Sequence, residues 1–326
     1  MERRSREQPS PPSPGRGRGE GLVIALITDE PHAWHTRELK RAFLARGRAC
    51  RTVDLRQCRI DLAQRPHGLF LPGFARALPA AAFVRGVPGG TLEQVVLRLD
   101  ILHALRELGV PVYNDARAIE KSVDKAMTSF LLHRAAVPTP LTFAAEDAAG
   151  AGRFVMRELA AGHKLVSKPL FGSQGKGLAR IDAVPAAAPL ADGVAYLQRW
   201  LPPRGRLFQD WRVLVAGGRA LAGMRRESRH WVTNVARGGK PRPVDLAGAE
   251  HADLARWAVA AARALAMDYA GVDLMRDADG RACVIEVNGV PAWRGLQRVT
   301  DLDIAGALAE DLIGRRMAPD RISAHG

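Results

Sequence analysis

Asp273, Glu286 and Asn288 are the residues whose types and spacing most directly suggest chemistry. Two apolar runs, residues 272–275 and 283–287, flank Asp279 and Gly280. Asp-Gly between apolar runs is a strong hairpin signal, because both turn residues must tolerate positive φ. With these two as the turn, Ala278 faces Arg281, and counting outward sets Asp273 opposite Glu286. Asn288, two positions on, shares their face because strand side chains alternate with period two. Like charges directly opposite each other destabilise a sheet, and a cation between them reverses that sign. Carboxylate and amide oxygens are hard donors, which suit Mg²⁺ bound with phosphates far better than zinc or copper. The alternative is a hairpin whose exposed face simply carries two acids.

A second group of residues suits an anion. Lys168 lies at the end of the short strand expected over 164–169, and the string GSQGKG follows at 172–177. Three glycines in six residues let backbone N–H groups approach an anion, with Ser173 and Lys176 as added donors. A Walker loop would need GxxxxGK[ST] running into a helix, whereas the next element reads as a strand. A glycine-rich strand–loop–strand flap over phosphates fits better; a mobile glycine hairpin is the plainer alternative. Lys125 lies on an earlier helix expected over residues 122–136.

The elements that must carry these residues read as α/β. Residues 21–28 form an apolar run ending in a polar loop, as a buried parallel strand should. A helix over 36–45, strands over 49–53 and 68–71, a helix over 91–108 and a strand over 110–113 follow. Strands alternating with helices imply an open sheet, and no GxGxxG follows its first strand. Beyond it come a helix at 152–161, a strand at 196–201, and a hairpin of 211–215 with 219–225 about Gly217 and Gly218. A helix within 246–267, with Leu254, Trp257, Ala258, Ala261 and Leu265 in one stripe, is expected to pack beneath the Asp273–Glu286 hairpin.

Composition bounds the rest. The 326 residues, 47% hydrophobic and 25% charged, suit an ordinary globular protein of two or three lobes. No apolar run reaches the length of a membrane span, and the Pro-, Ser-, Arg- and Gly-rich start lacks a signal-peptide core. A disordered tail over 1–20 and a cytoplasmic location are the expectations. The net charge of +14 invites a nucleic-acid reading. However, Lys occurs at only seven positions and the arginines are scattered, so an anionic substrate is favoured. Cys50, Cys58 and Cys283 show no CxxC spacing and read as reduced thiols.

Two lysines, a glycine flap, several arginines and a two-acid hairpin together describe an ATP–Mg²⁺ site between two α+β lobes. With Asn114, Asp124-Lys125, Pro138-Thr-Pro140, Lys168-Pro169, GSQGKG, Asp210-Trp-Arg212, Arg226, Asn234, Asp273 and Glu286-Val-Asn288 in this order, the chain resembles the ATP-grasp ligases. Within them it is similar to the RimK-like α-L-glutamate ligases, over about two-thirds of its length. Arg85-Gly-Val-Pro with Glu93 and Arg98, on its own a surface loop, looks like that subfamily's N-terminal lobe.

The resemblance implies an ATP-grasp fold. An N-terminal α/β domain would span 21–113 and a small lobe with the flap 114–195. A C-terminal lobe with the metal site would span 196–316, before a tail over 317–326. It implies that Lys125 and Lys168 contact nucleotide phosphates under a flap of Ser173, Gln174, Gly175, Lys176 and Gly177. Gln198, Arg199, Trp200 and Leu201 would form the adenine hinge through their backbone; relatives carry an acid where Arg199 stands. Asp210 would hold the ribose side with Arg212 orienting that wall, and Asp273, Glu286 and Asn288 would bind Mg²⁺ or Mn²⁺. Arg226 and Asn234 would stabilise the oxyanion formed when an amine attacks an acyl phosphate. The segment after Asn288 (GVPAWRGLQ) departs from the small residues, Pro and Gly of relatives, which puts the acceptor-side wall in doubt. ATP and L-glutamate are the expected substrates, with a tetrahydromethanopterin-type pterin as acceptor. A ribosomal-protein C-terminus or an amino-group carrier protein are the alternatives. A nucleic-acid-binding protein on an inactive ATP-grasp fold is a reading of another class. Relatives are often dimers or tetramers, so a homo-oligomer is compatible with the chain.

Overall fold

The computed structural model describes residues 23–63, 65–172, 176–233 and 238–317. Ser173, Gln174, Gly175, Asn234 and the expected N-terminal tail lie outside them. In chain order the first part runs β1 (Ile24–Ile27), α1 (Trp34–Ala45), β2 (Cys50–Val53), β3 (Arg59–Ile60), β4 (Leu69–Phe70), β5 (Ala81–Val84), α2 (Leu92–Glu107), β6 (Val112–Tyr113) and α3 (Ala116–Val123). Four of these strands form a parallel sheet in the order β2-β1-β5-β6. The third strand expected at 68–71 is instead half of a separate ribbon, β3 paired with β4. The sheet's missing member is β5, an Ala-Ala-Phe-Val run buried along its whole length. Alanines carry little strand preference, so only burial between α-helical layers marks this segment.

The middle of the chain runs α4 (Lys125–Arg134), β7 (Thr142–Ala145), α5 (Ala148–Ala160), β8 (Leu165–Ser167), β9 (Ala179–Ile181) and β10 (Ala195–Arg199). The single helix expected over 122–136 is broken at Asp124. Its side chain accepts from the backbone N–H of Ala126 and Met127, capping a new helix that starts at Lys125. The strands form an antiparallel sheet in the order β7-β10-β8-β9. The boundary drawn between residues 195 and 196 therefore falls inside a strand. β10 sits centrally in this small sheet and closes its core with Phe154, Val155 and Leu165.

The last part runs β11 (Phe208–Ala216), β12 (Arg219–Ser228), β13 (Lys240–Val244), α6 (Ala252–Ala264), β14 (Tyr269–Arg276), β15 (Ala282–Asn288), α7 (Arg294–Gln297) and α8 (Ile304–Asp311). Its sheet has the order β13-β12-β11-β14-β15. β13 escapes a sequence reading because Lys-Pro-Arg-Pro-Val looks like a loop, yet proline is tolerated on an edge strand. One face of this sheet buries Val213, Val272 and Leu274 against Leu254, Ala258 and Ala261 of α6, the packing that the helix stripe implies. The other face shares a core with the first sheet: Leu214, Met224 and Tyr269 meet Phe43, Phe83 and Tyr113. The first and last parts thus share a hydrophobic core, while the small sheet has its own.

Candidate active site

Asp273 and Glu286 do face each other, but not by the expected counting. Near the turn the register is one shorter, with Leu274 opposite Val284 and Arg276 opposite Ala282. The loop therefore holds three residues, Ala278, Asp279 and Gly280, closed by Asp277 N–H to the Arg281 carbonyl at 2.9 Å. Gly280 has φ +84°, the left-handed conformation that ends such a three-residue turn. Farther out, Ile285 is an extra residue in β15, a bulge that restores Asp273 opposite Glu286 and Gly271 opposite Asn288. Two offsets of one residue cancel.

The bulge also decides what Glu286 touches. Ala282 and Val284 belong to the core beneath the sheet, and strict alternation would send Glu286 there too. With Ile285 inserted, Val287 takes the core position, and Ile285 and Glu286 both line the pocket on the other face. The Val284 N–H finds its partner in the Pro138 carbonyl at 2.7 Å.

The pocket opens between the small sheet and this hairpin. From the small-sheet side come Lys168 and Gln198, joined by a hydrogen bond from Lys168 Nζ to Gln198 Oε1 at 2.7 Å. Lys125, at the start of α4, donates to the carbonyls of Gly172 at 3.0 Å and Leu170 at 3.3 Å, next to the glycine loop. That loop joins the antiparallel neighbours β8 and β9, so its strand–loop–strand setting is as expected. Of the flap residues, Lys176 is exposed on the pocket and Gly177 has φ +71°. Within the expected hinge, the N–H of Arg199 donates to Leu141 and that of Trp200 to Lys164, at 2.9 and 2.8 Å. Leu201 has no such partner among the described residues and also lines the pocket. The Arg199 side chain turns away to Glu158, its Nε 2.6 Å from Oε2.

Electrostatics separates the charged groups. Burial, then the neighbouring Lys125, pushes the Lys168 ammonium down to about 8. Burial lowers Lys125 as well, against Glu286 and Asp124. Burial opposes ionisation of Asp273, but the guanidinium groups of Arg212 and Arg226 outweigh it and hold the carboxyl below its usual range. Glu286 moves the other way: burial and the Asp273 carboxylate raise it despite Lys168, Arg212 and Lys125.

Arg226 differs most from its expected place. It is 2% exposed, a member of β12 paired across β11, and holds Asp210 through Nε at 2.7 Å and through Nη2. The same Nη2 stands 3.1 Å from Asp273. Arg212 grips Asp273 from the neighbouring strand with two bonds of 2.7 Å. A chain of Asp210, Arg226, Asp273 and Arg212 therefore lies under the pocket floor, and Arg226 is no free cation facing a reacting group. Asp210 does line the pocket, but its carboxylate is taken by Arg226. Among the pocket residues missed in the sequence are Trp231, Thr233, Met275 and Ile285. Only the two on β14 and β15 had a signal, their nearness to the acids, and alternation alone misplaces Ile285.

Of the three expected cation ligands, Glu286 and Asn288 present oxygens suited to a hard divalent cation, whereas both Asp273 oxygens are already held by arginines. Glu286 has no ion-pair or hydrogen-bond partner among the described residues, although it is largely enclosed and faces a second carboxylate. Asn288 donates its amide N–H to the Gly271 carbonyl at 3.2 Å, which leaves its Oδ1 as the free end.

Residues 122–312 match the RimK-like ATP-grasp domain, and residues 22–119 match the RimK PreATP-grasp domain. The chain belongs to the RimK-like ATP-grasp family. It is an ATP-grasp ligase by that membership. A relative from Methanococcus maripaludis, tetrahydromethanopterin:alpha-L-glutamate ligase, is 35% identical over 243 residues, which cover 71% of this chain and 78% of the relative. A probable alpha-L-glutamate ligase from Alkalilimnicola ehrlichii is 29% identical, covering 87% of this chain and 93% of its own. Among solved structures, the ATP-grasp ligase PsnB, complexed with a precursor variant, Mg and ADP, superposes with a TM-score of 0.70 at 22% identity. That match covers 90% of this chain and 98% of PsnB. A RimK domain ATP-grasp protein from Sphaerobacter thermophilus gives 0.64 at 22% identity, covering 89% and 98%. Within this RimK-like chain, no helix of the described residues is long and apolar enough to cross a membrane.

Proposed function

We propose that this ligase uses ATP and Mg²⁺ to join the amine of L-glutamate to a carboxylate of a tetrahydromethanopterin-type pterin. The observation that carries the ATP–Mg²⁺ reading is the unpartnered, enclosed Glu286 facing Asp273 at the pocket that Lys125 and Lys168 enter. The choice of glutamate and pterin rests on the 35% identical relative.

An amide requires an activated acid, because a carboxylate is a poor electrophile. Its oxygen first takes the γ-phosphoryl group of ATP, and the resulting acyl phosphate is attacked by the amine with loss of phosphate. Lys125 and Lys168 neutralise charge on the phosphates, and the glycine loop adds backbone donors and excludes water. Glu286, Asn288 and Asp273 would hold Mg²⁺, which supplies charge neutralisation for phosphoryl transfer. The Leu201 backbone, beside Trp200 and Met275, suits adenine. Arg226 is assigned to fixing Asp210 and Asp273 in place. Asn234 keeps the oxyanion role that the resemblance implies.

The test supplies the purified protein with ATP, Mg²⁺, labelled glutamate and the pterin, and follows label and ADP. Label should enter the pterin with ADP formed in step, and Glu286→Gln should abolish both while melting like the parent. Label appearing only in a protein fraction would move the acceptor to a polypeptide C-terminus. ADP formation indifferent to glutamate would overturn the reading.

A further inference from the structure

The enclosed arginines Arg212, Arg226 and Arg276 each hold a carboxylate, and Arg98 donates to the carbonyls of Pro88 and Gly89 at 2.9 Å. Arg85 is different. Among the described residues its Nη1 reaches only the Val290 carbonyl, at 3.4 Å, and its guanidinium carbon stands 5.3 Å from the Trp293 ring. Its Nε is buried without a partner, and no carboxylate of the described residues lies within 4.0 Å of it. Asp29 and Glu30 act on it only from farther off. A cation taken out of water without a counter-ion is costly, and the cost falls when an anion arrives.

Its place in the fold is one that binds ligands. The backbone N–H groups of Arg85 and Gly86 both donate to the Ile27 carbonyl, at 2.9 and 3.2 Å, so Arg85 leaves β5 beside the carboxyl end of β1. The chain passes from β1 to β2 on one side and returns to β5 on the other. That makes these two carboxyl ends the switch point where open α/β sheets take their ligands. The opposite wall is the segment after Asn288. Asn114 donates to the Gly289 carbonyl at 2.6 Å, and His35 Nε2 accepts from the backbone N–H of Trp293 and Arg294 at 3.1 and 3.2 Å. Burial, then Arg85 and Arg294, pushes His35 down to about 4, which keeps that nitrogen an acceptor. Val290 lies two residues past Asn288, at most about 7 Å along the chain. Arg85 therefore stands beside the segment that directly follows Glu286 and Asn288.

We propose that Arg85, in the crevice between the carboxyl ends of β1 and β5 and the 289–294 segment, binds a spectator carboxylate, one that is not phosphorylated. The carboxylate belongs to the incoming amino acid or to the acceptor's tail, and the proposal rests on the ligase reading above. A guanidinium fork matches a carboxylate in two parallel bonds, which a lysine cannot reproduce.

Arg85→Met and Arg85→Lys, made in the full chain, test it. Each is checked by melting and by binding of a non-hydrolysable ATP analogue with Mg²⁺, both expected to match the parent. Calorimetric titration of L-glutamate onto that complex, with KM for glutamate and pterin in turnover, gives the readout. If the site takes the amino acid, Arg85→Met weakens glutamate binding roughly 30-fold or more, with Arg85→Lys between, and kcat changes little. If it takes the acceptor, KM for the pterin rises instead and glutamate binding holds. Parent-like values for both substrates in Arg85→Met overturn the subsite. Absence of labelled product from the parent itself overturns the ligase reading instead.

Discussion

At the scale of single residues, the site is a contrast between matched and unmatched charges. Arg226 is matched twice, by Asp210 and Asp273, inside the protein. Removing one partner from a buried pair leaves the other charge stranded, so Arg226→Met should cost roughly 3–5 kcal/mol in denaturant unfolding. Asp210→Asn in the same chain should return part of that loss, because it removes the stranded charge. The neighbouring Arg225 pairs with Glu227 at 3.0 Å with 36% of its side chain exposed, and Arg225→Met should cost at most about 1 kcal/mol. Equal effects at the two positions would contradict the buried network. Lys168 makes a pH prediction. On the proposed reading its protonated form binds phosphate, and with its value near 8 the charge is present at pH 7 and mostly lost by pH 9. The affinity for the ATP analogue should therefore fall as pH rises through 8. Lys168→Met should bind more weakly at pH 7 and lose that step.

At the scale of elements, the hairpin of β14 and β15 places its acids through two irregularities. A three-residue turn ends on Gly280 at φ +84°, and a bulge at Ile285 compensates. A side chain is strained at such a φ by about 1–2 kcal/mol, and the Arg204 guanidinium occupies the space where a Cβ would go. Gly280→Ala should accordingly lower the unfolding free energy, measured in denaturant, by that amount. Because Gly280→Ala leaves the length of the turn unchanged and the bulge lies beyond it, ATP-analogue affinity should stay within about twofold of the parent. A large loss of affinity would show that the turn, and not the bulge, holds the acids in register.

For the whole molecule, Asn114 is a buried polar tie between the first part and the last. Its amide donates to the carbonyls of Tyr269 at 2.7 Å and Gly289 at 2.6 Å and accepts from the N–H groups of Asp268 and Tyr269 at 2.7 and 3.0 Å. All four bonds are buried, and Asn114→Ala would leave four backbone groups dry and unpaired. A loss on the order of 3 kcal/mol or more follows, visible as a melting point lower by several degrees. Since Gly289 follows Asn288, which is proposed to hold Mg²⁺, substrate affinity should weaken with it. Meanwhile the small sheet keeps its own core around Phe154 and Leu197. It is thus the part that can close over a nucleotide without opening the shared core.

Much of this was legible in the sequence because its signals are local. Asp-Gly between apolar runs announced the hairpin, three glycines beside Lys176 announced the strand–loop–strand setting, and alternating strands and helices announced the α/β class. The order of these motifs named the family, and the family comparison agrees. What only the tertiary structure decided rests on residues far apart in the chain. β10 joined the small sheet because Thr142 and Val166 flank Gln198. Arg226 became a strut because Asp210 faces it across β11 and Asp273 lies one strand farther. Ile285 bulged, taking Glu286 out of the α6 core, and Arg85 was left without a counter-ion beside Val290. Periodicity along one strand contains none of this, since register, charge pairing and burial are settled by the neighbours that folding brings together.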